Sequence, residues 1–151
     1  MNTMHPNPGK REMDRFLETN KIRLHYIHNQ GVEPPLILMH GLTANTHSFD
    51  AILKAGVQLE ILAVDLRGHR LSDKPTHGYT TQDHAADIIG MLDRLGMESA
   101  VIGGHSFGGV LSIYLAFHYP NHIKKIIMID TAARMHPDAA TIIRPAIKTF
   151  R

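Results

Sequence analysis

The sequence predicts an α/β fold: a mostly parallel, doubly wound sheet with helices packed on it. Three observations carry this. Short apolar runs without alternation occur at 36–39 and 61–64, the pattern of strands covered on both faces, and a further apolar strand is expected over 123–129. Segments with apolar residues at helical spacing separate these runs, and strands alternating with helices build parallel sheets. Between Val101-Ile102 and a long apolar segment stands Gly104-His105-Ser106-Phe107-Gly108, which fits G-x-S-x-G. That is a strand, a sharp turn and a helix, with one serine at the tip.

Each element follows in order. Residues 1–13 are polar and contain Pro6, Pro8 and Gly9, the composition of a disordered lead-in. Ile22, Leu24 and Tyr26 alternate with Arg23 and His25, which predicts a strand with one solvated face. Asn20-Lys21 is the expected turn from an earlier strand around 16–18, giving two opening antiparallel strands. Pro34-Pro35 introduces the strand at 36–39, which closes on His40-Gly41. Phe49, Ile52 and Leu53 predict a helix over 46–55, stopped by Gly56.

A buried strand follows over 59–66, with Asp65 at its end, and the loop 65–72 leads on to Pro75 and Gly78. Thr80 with Asp83 three places later forms a capping-box start. Ala85, Ile88, Ile89, Leu92 and Leu95 share one helical face, and Gly96 stops that helix. The helix after the serine, over 110–119, is apolar nearly all round, which predicts burial; Pro120-Asn121 ends it. A strand over 123–129 ends at Asp130, and Ile142, Ile143, Ala146, Ile147 and Phe150 mark an amphipathic helix over 138–151.

Composition narrows the function. The 151 residues suit one domain, and at 43% hydrophobic they can build a core. A net charge of +2, with no basic stretch interleaved with aromatics, argues against a nucleic-acid partner. The absence of cysteine excludes disulfides, thiolate catalysis and cysteine-ligated zinc, and no metal or cofactor is expected. Neither G-x-G-x-x-G nor G-x-x-x-x-G-K is present for phosphate binding. The start of the chain lacks a signal-peptide core, and no apolar run reaches the roughly 18 residues of a membrane span. The expectation is a cytoplasmic protein. Its 12 histidines are expected on surfaces and in turns.

With these residues assembled, the chain resembles the α/β-hydrolase superfamily, and in particular small esterases and lipases, over roughly residues 16–130. The serine motif sits between strand and helix, preceded in order by His40-Gly41 and by Asp65-x-Arg67-Gly68. The resemblance implies that Ser106 is a nucleophile attacking the carbonyl of a small ester-type substrate. It implies an oxyanion hole from the backbone amides of Phe107 and Leu42. His40, Gly41, Gly104, His105 and Gly108 would be the supporting loop residues, with neither His40 nor His105 acting as the base. Aspartate-nucleophile chemistry, as in dehalogenases and epoxide hydrolases, is disfavoured because the elbow carries serine.

The pattern also departs from the family. A triad in this fold runs Ser, then Asp or Glu, then His. Asp130 stands where some members carry the acid, though a structural role fits the same position. Of the later histidines, His118 falls in the helix predicted to be buried, His122 precedes a strand at the wrong end of the sheet, and His136 has no family counterpart. No base is found, and little or no ester turnover is expected. The resemblance makes residues 14–130 the N-terminal part of a hydrolase core and 131–151 the start of a cap. The strand 123–129 would then present an apolar edge suited to self-association. The second reading is a catalytically inactive fragment or interaction module. Arg70 replaces a family glycine, at roughly 1–2 kcal/mol if its backbone is left-handed, and Arg67 is expected to anchor its loop.

Overall fold

The computed structural model describes residues 13–131. In chain order the elements are β1 (Asp14–Thr19), β2 (Ile22–Asn29), β3 (Val32–Met39), a 3₁₀ turn (Thr46–Phe49) running into α1 (Asp50–Lys54), and β4 (Leu59–Asp65). Then come α2 (Thr81–Leu95), β5 (Ala100–His105), α3 (Phe107–His118) and β6 (Ile123–Ile129). The lead-in, the cap segment and the helix expected over 138–151 lie outside the described residues, apart from Met13 and Thr131.

The strands form one sheet in the order β1-β2-β4-β3-β5-β6. β1 and β2 pair antiparallel across a turn in which Asn20 and Lys21 both have positive φ, and β2 pairs antiparallel with β4. The pairings β4–β3, β3–β5 and β5–β6 are parallel. Alternating side chains of the central strands feed two cores. Ile37, Met39, Leu62, Val64 and Ile102 pack with Ala85, Ile88, Met91 and Leu92 of α2 and with Leu111 and Leu115 of α3. On the other face Leu38, Ile61 and Ala63 pack with Ile27 and Phe49. Burial on both faces is why these strands read as continuous apolar runs.

Local signals place α2 well. Thr80 accepts from the Asp83 amide, the Asp83 carboxylate accepts from the Thr80 amide, and Gly96 closes the helix in the left-handed conformation at φ 68°. The region 46–55 differs from the single helix expected. Asn45 Oδ1 takes the His47 amide and Asp65 Oδ1 takes the Thr46 amide, and the first turn is a 3₁₀ turn before the short α1. β3 begins earlier than expected, with its pairing to β4 irregular between Val32 and Leu36, where two prolines have no N–H to donate.

Two expectations about burial are corrected. His25, assigned to a solvated face, is fully buried because its ring lies between two carboxylates: Nδ1 is 2.6 Å from Asp65 and Nε2 3.1 Å from Asp14. α3 begins at Phe107 and is not buried all round. Gly108, Leu111, Ser112 and Leu115 form its buried face at spacing i, i+3, i+4, i+7, while Ile113 is exposed and Phe117 is 79% exposed. His118, expected within a buried helix, is exposed at the end of α3. β6 is an edge strand among the described residues, and Ile126, Ile127, Met128 and Ile129 are all exposed.

The strand order reverses around β3. From β3 the chain goes to β4 on one side, and later to β5 on the other. The carboxyl ends of β3 and β5 flank this reversal, the usual ligand position in open parallel sheets.

Candidate active site

Ser106 stands at that end of the sheet, between the last residue of β5 and the first of α3. Its backbone is at φ 51° and ψ −113°, a conformation that non-glycine residues rarely adopt. The surroundings hold it there. The Ser106 amide donates to the Ile129 carbonyl at 3.1 Å, and its own carbonyl accepts from the Gly109 and Val110 amides at 3.0 and 3.2 Å. The turn is possible because two neighbours lack side chains. A Cβ on Gly104 would overlap the Gly108 carbonyl, and one on Gly108 would overlap the Met39 carbonyl. β5, α3 and β3 thus meet backbone to backbone around the serine.

The serine side chain is exposed and does not cap α3. No described residue hydrogen-bonds its hydroxyl. The Phe107 amide, at the first position of α3, has no intrahelical acceptor, and the helix dipole favours negative charge at that spot.

The loop after β3 carries the Leu42 amide. A Cβ on Gly41 would lie 3.2 Å from both Ser106 Cβ and His105 Nδ1, so the loop runs directly against the elbow. His40 orients it. Its Nδ1 donates to the Gly41 carbonyl at 2.7 Å, and its Nε2 accepts from the Leu66 amide at 3.0 Å. The Ala44 amide reaches the same carbonyl at 3.1 Å. In a trans peptide the carbonyl and the following N–H point in opposite directions. Holding the Gly41 carbonyl therefore directs the Leu42 amide the other way, and that amide is not spent on any described backbone acceptor. Burial pushes the His40 imidazole down to about 4, helped by His69 and His105 and opposed by the hydrogen bond to Gly41. His40 is a neutral, fully engaged brace at neutral pH, with no nitrogen left to serve Ser106 as a base.

The loop after β4 is tied to the same end. Asp65 is buried. Burial alone would raise its carboxyl, but hydrogen bonds from His25 and from the amides of Thr46 and Leu71 hold it below the usual range. Arg67 forms a two-pronged bond with Asp87 of α2, Nε to Oδ2 at 2.7 Å and Nη2 to Oδ1 at 2.5 Å, and also donates to the Gly78 carbonyl. Asp87 raises the Arg67 pKa further. Arg67 thus anchors its loop, as expected. Arg70 sits at φ 38°, with its Nη1 3.6 Å from Asp65 Oδ2.

Asp130 follows β6 at the same sheet end as Ser106, at φ 46°. Its side chain is 94% exposed and lies 4.0 Å from His105 Nε2. His122 precedes β6, at the opposite end of the strands. His136 lies outside the described residues. Three histidines are buried against the expectation of surface positions: His25, His40 and His84. His84 stands edge-on against the Phe107 ring, centroids 5.1 Å apart, and burial pushes it down to about 4. Neither His69 nor His84 was visible as a site residue, because both act through partners distant in sequence.

A family model described as "alpha/beta hydrolase fold" matches residues 34–149. The chain is 32% identical to a 2-(acetamidomethylene)succinate hydrolase of Mesorhizobium japonicum, over 84% of this chain and 46% of that protein. It is 32% identical to epoxide hydrolase 4 of Mus musculus, over 89% of this chain and 38% of that protein. The crystal structure of an enol-lactonase from Burkholderia xenovorans superposes with a TM-score of 0.80 at 26% identity, covering 90% of this chain and 54% of that one. The chain spans less than half the length of the two curated relatives. Among the described residues, no helix is long and apolar enough to cross a membrane.

Proposed function

This chain belongs to the α/β-hydrolase family, and on that premise we propose that Ser106 is the nucleophile of a serine hydrolase acting on an ester or related acyl bond. One observation carries the reading: an exposed serine is held in a strained positive-φ turn by backbone contacts that leave no room for a Cβ at Gly104 and Gly108 unless the backbone shifts. Ser106 Oγ attacks the acyl carbon and its proton passes to a base. The charge that develops on the carbonyl oxygen is received by the Leu42 and Phe107 amides. The leaving group departs with a proton, and water then cleaves the acyl-serine ester. Losing one such amide donor costs on the order of 3–4 kcal/mol.

The relatives are named for both acyl-type and epoxide chemistry, and the side chain at the elbow chooses between them. A serine that opened an epoxide would be left as an ether, which water does not cleave under these conditions. A serine that attacks an acyl carbon forms an ester, which water does cleave. The reading finds no base in this chain, and it leaves Asp130 either the acid or a structural residue at the end of β6. β6, with its exposed apolar residues, favours a second role in pairing with another chain.

The test compares an activated aryl ester with an aryl epoxide, each followed by peptide mass mapping. The reading expects an acyl adduct on Ser106 from the ester, none from the epoxide, and only slight ester turnover, because a missing base costs about 10²–10⁴-fold. Epoxide opening that survives Ser106→Ala would contradict the nucleophile, and robust Ser106-dependent ester turnover would contradict only the missing base.

A further inference from the structure

We propose that His69, in the loop after β4, is a positioning residue that braces the oxyanion loop through the carbonyl of Leu42. This rests on the reading of the Leu42 amide as an oxyanion donor. His69 Nε2 lies 2.8 Å from the Leu42 carbonyl oxygen, and Nδ1 lies 3.0 Å from the carbonyl of Arg67 in its own loop. The ring stands edge-on to His40, with centroids 4.7 Å apart at 65°. Two imidazoles in contact therefore hold two successive carbonyls, Gly41 through His40 and Leu42 through His69. The donor peptide is fixed on one side and the following peptide on the other, so the Leu42 amide cannot swing. Arg67 is itself clamped to Asp87, and the brace thereby transmits the rigidity of α2 to the loop.

The chemistry of the acceptors fixes which ring nitrogen must donate. Both partners are carbonyl oxygens, which only accept, so both bonds form together only when both ring nitrogens carry protons. A neutral ring with its proton on Nε2 keeps the bond to Leu42.

Two variants of this chain test the proposal, each checked for native unfolding behaviour. His69→Phe keeps a ring against His40 and removes the donors; His69→Gln restores one donor. The readouts are the Leu42 and Thr43 amide resonances and the rate at which a fluorophosphonate reacts with Ser106. His69→Phe is expected to move both resonances and slow the reaction roughly tenfold, part of the ~10²–10³ lost when such a donor is deleted. His69→Gln should recover most of that rate.

Unmoved resonances in His69→Phe, or equal behaviour of the two variants, overturn the brace. Moved resonances with an unchanged rate overturn the role of Leu42 as donor, and the positioning role with it. If Ser106 in the unsubstituted chain does not react at all, the nucleophile reading fails, and the Leu42 resonances alone then decide whether His69 holds the loop.

Discussion

Gly41 meets Ser106 with no side chain between them: a Cβ added to Gly41 would stand 3.2 Å from the Cβ of Ser106. At that separation the loop or the elbow must yield by a few tenths of an ångström. Gly41→Ala is expected to leave the fold nearly intact and slow Ser106 modification, because the displaced peptide carries the Leu42 amide. Gly108→Ala is different. Its Cβ would overlap the Met39 backbone, which cannot rotate away, and a loss of about 2–3 kcal/mol is expected. Urea midpoints and phosphonylation rates of the two variants separate the effects.

The buried Arg67–Asp87 pair should behave as an all-or-none unit. Asp87→Ala leaves a guanidinium without its partner in a dry site and is expected to cost about 3–5 kcal/mol. Replacing both residues, Arg67→Met with Asp87→Leu, should cost less than that single change. Unfolding free energies that simply add would contradict the coupling.

Acid should weaken the fold in two stages. His40 and His84 are held at about 4, below the value near 6.5 of an unfolded chain. Between those values the unfolded chain binds protons that the folded chain refuses, so stability falls as pH drops from 6.5 toward 4, by on the order of 2 kcal/mol for each histidine. Asp65, held below the usual carboxylate range, contributes stability that is present above about pH 4 and lost below it. Urea unfolding at pH 7 and pH 5 reads the first stage. His84→Phe should shrink that loss by roughly 1–2 kcal/mol, and an unchanged loss would contradict the assignment.

β6 should pair with a second copy. It is an edge strand among the described residues, and its apolar side chains are exposed on both faces. Light scattering is expected to show a mass that rises with concentration, and Ile127→Lys should reduce the rise, because an edge lysine opposes strand pairing. A monomer at every concentration would count against this surface.

Much of the architecture was legible because it rests on local chemistry. The capping box at Thr80 and Asp83, the left-handed stop at Gly96 and the glycines around Ser106 each declare themselves within a few residues. The central strands declare themselves too, since burial on both faces removes alternation. What stayed hidden depends on partners far along the chain. His25 is buried because Asp14 and Asp65 approach it from other strands, and His40 is neutral because its ring meets the Leu66 amide. Phe117 shows the reverse error. An apolar residue on an apolar helix reads as core, yet which side of α3 faces the sheet is set by the close approach of Gly108 to β3.

The central claim is that the turn after β5 presents Ser106 as a nucleophile beside two free amides. The most direct measurement is peptide-mapped mass spectrometry of the chain after reaction with a fluorophosphonate. The account predicts one adduct per chain, on Ser106, absent in Ser106→Ala and suppressed by unfolding in urea. An adduct spread over several serines, or one that persists in Ser106→Ala, would contradict it.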